Sequence, residues 1–346
     1  MPRLRLSSFE NLYAAFQWFA GVCVLFFAAA SCEPNAAERE PVFTPKFRIF
    51  IVGEGENEPT WPALQAAAAR FQKDDGKNEI IAITPKQNSP REQQELLDNL
   101  LQRGPSAVCL LPCDPTALRN SVNKLVTSGC LVVTFVRDVS ESKRSCFCGP
   151  SELDIGKQAA AACSLALANH AQTAITLNAE SRGEVYRMRS HAFRQELAIL
   201  GSILIIKQLN CSGDPFEAAN LVHSESKKYP RTGCWVLFDD WPLRVTPSSE
   251  RLLPLGCRIV LCNGNPKYLE RVRKGEIQAM VTIDFFDAVK QAYMAARGRA
   301  ENPMIELPTY HSVDTLTISM SELDWYGRCW ESWKRGLPSP PDKPWE

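Results

Sequence analysis

From Phe47 onward, short apolar runs alternate with stretches whose apolar residues recur every three or four positions. The first pattern reads as buried strands, the second as amphipathic helices. Phe47–Val52 is an apolar strand, followed by a helix over Trp61–Asp74 with an Ala-rich face. Glu79–Thr84 predicts a strand, and Ser89–Arg103 a helix whose Leu96, Leu97, Leu100 and Leu101 share one face. Ala107–Leu111 is a third strand. Asp114-Pro115 then supplies an N-cap with proline at the first helical position, opening a helix that ends at Gly129. The fourth strand, Leu131–Val136, is apolar almost throughout and stops abruptly at Arg137 and Asp138. Such a run suits a parallel strand buried on both faces, and open α/β sheets bind ligands at the C-terminal edge of such strands.

A second series repeats the alternation. Leu153–Asn169 predicts a helix, Thr173–Leu177 a strand, Val185–Leu200 a helix and Ile203–Lys207 a strand. Asp214-Pro215 caps another helix that runs to about Tyr229, and Cys234–Phe238 and Cys257–Leu261 are strands. Ile277–Ile283, Asp287–Gly298 and Val313–Met320 close the chain's ordered pattern. Two successive βαβ sets predict an α/β protein with two doubly wound, Rossmann-like lobes. Roughly three hundred residues beyond Cys32 agree, since a single core stops growing near that size.

The first residues differ from everything after them. Arg3 and Arg5 precede an apolar stretch, Tyr13–Ser31, that ends Ala29-Ala30-Ser31-Cys32. A basic start, an apolar core and small residues before a cysteine make a lipoprotein signal over 1–31, with Cys32 as the lipidated N-terminus. The same stretch is long enough to stay as a membrane helix. Either reading puts the body outside the cytoplasm, in the periplasm or cell envelope, with 32–45 as a polar tether.

Charge changes the picture only by exclusion. Basic and acidic residues number 39 each, so no nucleic acid or anionic membrane partner is implied. Of the 13 cysteines, Cys109, Cys130, Cys146, Cys148, Cys234, Cys257 and Cys262 lie in or beside predicted strands, where they read as small buried apolar residues. His170, His191, His223 and His311 are scattered, and no metal site is expected. Gly53-Glu54-Gly55 is too short for a dinucleotide fingerprint. No nucleophile elbow or phosphate loop is present, so neither an enzyme nor a cofactor is expected.

The order Asp114-Pro115-Thr116-Ala117-Leu118, helix, Gly129, strand, Asp138-Val139-Ser140-Glu141-Ser142-Lys143-Arg144, Gly149 closely resembles the ribose-type periplasmic sugar-binding proteins, the type I substrate receptors of ABC sugar importers. The resemblance runs from about Phe47 to about Tyr326. It implies a hinge of three crossings and a ligand between two lobes. One lobe would hold about 46–150 and 284–318, the other 151–283 and 319–335, with 336–346 a Pro-rich, dispensable tail.

The same resemblance places ligand contacts. Glu58-Pro59-Thr60-Trp61 is similar to the family's Asn-Pro-Phe-Phe, which makes Trp61 an aromatic plate for a sugar face, or a tryptophan packing on its own lobe. Arg137 falls on the sugar-binding arginine; alternatively it pairs with Asp138 or Asp154. Tyr186-Arg187-Met188-Arg189 before Phe193 resembles Arg-x-Arg-x-x-Gly-Phe, so Arg187 is the expected contact and Arg189 a solvated or salt-bridged neighbour. Asp239, Asn263 and Asp284 occupy strand-end positions that carry polar contacts in the family. Val136 and Asn263 stand where aspartates are usual, which favours an acceptor-rich sugar or sugar acid over a plain aldopentose. The implied protein is a monomeric, lipid-anchored sugar receptor that delivers its ligand to an ABC permease. A ligand sensor signalling to a membrane kinase or chemoreceptor is the alternative.

Overall fold

The computed structural model describes residues 47–344 apart from 168–171, 202 and 248. The expected signal, Cys32 and the tether therefore lie outside the described residues. The first lobe begins with β1 (Arg48–Val52), α1 (Thr60–Asp75), β2 (Glu79–Ile83) and α2 (Pro90–Leu101). It continues through β3 (Ala107–Leu110), α3 (Arg119–Thr127), β4 (Leu131–Phe135) and β5 (Cys146–Gly149). The chain crosses at Pro150 into α4 (Glu152–Leu167), β6 (Thr173–Asn178), α5 (Glu184–Leu200) and β7 (Leu204–Asn210). Next come α6 (Pro215–Lys228), β8 (Cys234–Leu237), a one-turn α7 (Trp241–Arg244), β9 (Arg258–Leu261), α8 (Leu269–Arg273) and β10 (Ile277–Ile283). A second crossing at Asp284 returns the chain to the first lobe as α9 (Phe285–Glu301) and β11 (Tyr310–Ser312). A third leads to β12 (Thr315–Ile318) and α10 (Leu323–Trp333).

Two six-stranded sheets result, ordered β2-β1-β3-β4-β5-β11 and β7-β6-β8-β9-β10-β12. Every pairing is parallel except β10 with β12. The chain thus forms the expected two doubly wound lobes joined by three crossings. Strand periodicity explains the layering: Ile49 and Ile51 of β1 pack with α1, while Phe50 and Val52 point to the opposite face, with Leu97 of α2 and Val122 of α3. Of the two Asp-Pro helix starts expected from the sequence, only Asp214-Pro215 begins a helix directly. Glu217 N donates to Asp214 Oδ1 at 2.8 Å ahead of α6. Asp114 Oδ1 instead accepts from Thr116 N at 2.9 Å and Ala117 N at 3.0 Å, making a turn, and α3 starts only at Arg119.

Two boundaries differ from the sequence reading. The closing segment expected at Val313–Met320 narrows to β12 (Thr315–Ile318), and β11 (Tyr310–Ser312), which the sequence reading did not mark, precedes it in the other sheet; Val313 between them is buried at the hinge, where its amide donates to Gly149 O at 2.8 Å. The third crossing therefore precedes Thr315, and 315–318 belongs to the second lobe. The Pro-rich tail is not loose: Trp333 Nε1 donates to Ser339 Oγ at 3.2 Å and Trp325 Nε1 to Pro340 O at 3.3 Å. All eleven described cysteines are free thiols, ten of them buried.

Candidate ligand-binding cleft

The doubly wound order puts β1 and β6 at the switch points of the two sheets, where strand-end loops diverge and leave a crevice. The two crevices face each other across a cavity of about 440 Å³ lined from both lobes. Arg137 reaches it from a strained turn. The Arg137 amide donates to Phe135 O at 2.7 Å across Val136, whose φ is +63°. This is a γ-turn of the rare positive-φ kind. Arg137 Nη1 donates to Pro112 O at 2.7 Å, and Nη2 lies 2.7 Å from Glu54 Oε2. Glu54 follows β1 and is 4% exposed. Burial raises its carboxyl above the usual range, and Arg137 offsets only part of that rise. Asp138, the next wall residue, is held bidentately by Arg144 at 2.5 and 2.6 Å.

In the second lobe, Asp239 is the organising group. It accepts from Tyr186 Oη at 2.9 Å, Asn263 Nδ2 at 3.0 Å and Asp240 N at 2.8 Å. Burial alone would raise the Asp239 carboxyl, but Arg244, Arg137 and the Asn263 amide outweigh it and hold it below the usual carboxylate range. Asp240 in turn accepts from Arg244 Nε at 2.5 Å and Tyr268 Oη at 2.8 Å. Arg189 donates to Glu152 Oε2 at 2.7 Å and to Phe238 O at 2.7 Å. Two glycines make these walls possible. A Cβ on Gly156 would lie 2.3 Å from Arg189 O, so only glycine lets α4 and α5 approach closely enough to join Glu152 to Arg189. A Cβ on Gly264 would lie 1.8 Å from Thr282 Oγ1, so the loop after β9 closes on β10 only without a side chain there.

The structure brings Arg137, Asp239 and Asn263 together in the wall, and leaves Trp61, Arg187 and Asp284 outside it. Trp61, in the first turn of α1, packs against the hydrophobic core while its neighbour Thr60 lines the cavity. Arg187 lies half exposed on α5, bound to Glu184 at 2.9 Å and Glu180 O at 3.1 Å, while Arg189 turns inward. Asp284 caps α9 by accepting from Asp287 N at 3.0 Å, and Ser339 Oγ donates to its other oxygen.

A family model for the periplasmic binding protein domain matches residues 49–302. The chain belongs to this family. Solved structures agree on the fold. An arabinose-binding protein from Geobacillus stearothermophilus is 14% identical, with a TM-score of 0.66 over 81% of this chain and 98% of its own. A solute-binding protein of an ABC transporter from Burkholderia graminis, in complex with D-arabinose, is 13% identical, with a TM-score of 0.64 over 80% of this chain and 96% of its own. One from Mycobacterium smegmatis with bound glycerol is 19% identical, with a TM-score of 0.62 over 80% and 96%. No curated protein matches the chain in sequence.

Within this periplasmic binding fold, the wall residues that sequence reasoning passed over include Glu54, Glu152, Arg189, Asp240, Arg244 and Lys267. Arg189 had a usable signal: with Tyr186 and Phe193 it keeps the three-to-four spacing of the inward face of α5, and Arg187 does not. Asp240 and Arg244 stand four apart at a helix start, a common ion-pair spacing. Glu54 and Glu152 carry no comparable local mark.

Proposed function

We propose that this chain is an extracytoplasmic receptor that captures a neutral polyhydroxylated ligand of sugar size between its lobes and delivers it to an ABC-type importer. The family is one of solute-binding proteins that work outside the cytoplasm. The observation that carries the ligand class is the pairing of charge in the wall. Arg137 has Glu54, Arg189 has Glu152, and Arg244 and Lys267 share Asp240, so no cation of the wall awaits a ligand carboxylate. An acidic sugar, the reading that two unneutralised arginines would support, loses its basis. A paired arginine and carboxylate still offers spare N–H donors beside carboxylate lone pairs, which suits a hydroxyl that donates and accepts at once. Tyr186, Tyr326 and Trp330 add apolar faces for a sugar ring.

A thermal-shift and calorimetry panel of neutral sugars, polyols and sugar acids tests this reading. A neutral member at about a hundred times its Kd should stabilise the protein by roughly 2.7 kcal/mol, with sugar acids silent. A sugar acid that binds while its neutral counterpart does not would overturn the ligand class. Silence from the entire panel would overturn the receptor reading.

A further inference from the structure

The hinge side of the cavity carries an apolar surface that the polar wall does not account for. Val136, at φ +63°, is the sole non-glycine residue with positive φ among the described residues. A β-branched side chain fits that region poorly, and asparagine, aspartate or glycine would hold the same turn at lower cost. Such strain persists where the surroundings over-determine it, and it concentrates at ligand clamps. Val136 packs against Ile283, Ala288 and Val313 and also lines the cavity. Val281 and Ile283 stand two apart on β10 and so share a face, and Ile155 and Cys262 pack with Val281. All of these but Ala288 and Val313 are in the cavity wall. Thr282 between them also lines the cavity, its hydroxyl 3.5 Å from Tyr326 Oη and still able to accept, so it bounds this apolar surface as a polar group.

Resting on the receptor reading above, we propose that the ligand presents a deoxygenated carbon to this surface. It is then a 6-deoxy sugar whose methyl sits against Val136 and Ile283, while its hydroxyls meet the paired arginines and carboxylates. A hydroxyl held against the side chains of Val136 and Ile283 would lose its water to groups that neither donate nor accept, whereas a methyl gains buried apolar contact.

Calorimetry on the full-length protein with matched sugars decides the matter: 6-deoxyhexoses such as fucose, rhamnose and quinovose, each against its 6-hydroxy parent. The deoxy member should bind roughly tenfold to a hundredfold tighter in at least one pair, the range for one misplaced group in an apolar pocket. Val136→Asn keeps a residue suited to the turn while adding an amide, and should narrow or reverse that preference. A parent at least as tight as its deoxy partner in every pair that binds, or a preference unmoved by Val136→Asn, overturns the inference and leaves the receptor reading intact. Silence from both members of every pair, together with the whole neutral panel, overturns the receptor reading itself.

Discussion

At the residue scale, the arginines of the cleft act as halves of ion pairs, and their substitution tests the fold as well as the ligand. Removing Arg137 leaves Glu54 buried without its cation, so Arg137→Ala should destabilise by about 3 kcal/mol in chemical denaturation. Converting Glu54 to Gln in the same chain should recover most of that loss, because the stranded charge is gone. Arg189→Ala should behave like Arg137→Ala, since the Glu152 side chain is only 10% exposed and its carboxyl is raised by burial. Arg187→Ala should stay within about 0.5 kcal/mol of wild type, as expected for an exposed i,i+3 pair. Asp239 predicts the acid response. Its folded carboxyl lies below its unfolded value, so its contribution is complete above about pH 4 and is lost as pH falls through the lowered folded value. Asp239→Asn should lower the melting temperature at neutral pH and flatten its fall below about pH 4. An unchanged acid limb would show that Asp239 is not the group titrating there.

At the scale of elements, close approach matters more than helix propensity. Helices α4 and α5 touch backbone to backbone at Gly156, and that contact sets Arg189 opposite Glu152. Gly156→Ala would favour an isolated helix, yet here it forces the pair apart and should cost about 1–3 kcal/mol as overpacking. Ligand affinity should fall with stability, because Arg189 is displaced along with α5. The tail behaves as part of α10 rather than as a loose end. Gly336, at φ +69°, lies where a Cβ would meet Ala66 O at 2.5 Å, and Ser339 ties the tail to Asp284 at the second crossing. Truncation before Gly336 should therefore lower the melting temperature measurably, although a Pro-rich terminus reads as dispensable in sequence. A truncated chain with an unaltered melting temperature would restore that reading.

Across the whole molecule, the lobes also meet through a pair outside the cavity wall. Arg182, after β6, is ion-paired with Asp114, after β3, and Thr116 Oγ1 donates to Arg182 O at 3.1 Å. One partner comes from each lobe, so the contact exists only when the cleft is closed. An equilibrium between open and closed forms shifts by the free energy that separates them and by nothing else. Losing a partly exposed pair of this kind costs about 1 kcal/mol. Arg182→Ala should then move the ligand-free protein toward the open form by about fivefold. Scattering should report a larger radius of gyration without ligand, and calorimetry a correspondingly weaker affinity. Unchanged scattering would show that the pair does not hold the lobes together.

Local pattern was enough for the alternation of strands and helices, the two lobes and the placing of Arg137, Asp239 and Asn263 at strand ends, because strand and helix periods are properties of neighbouring residues. The cap at Asp214 was legible for the same reason. What periodicity could not supply was partnership. Arg137 finds Glu54 and Arg189 finds Glu152 only through sheet order and through a helix contact that one glycine permits. The γ-turn at Val136, the placing of β11 and β12 in different sheets and the docking of the tail are likewise products of packing at the hinge. Whether the two arginines await an acid or are already satisfied is a question of distance between residues far apart in sequence, and only the folded chain sets those distances.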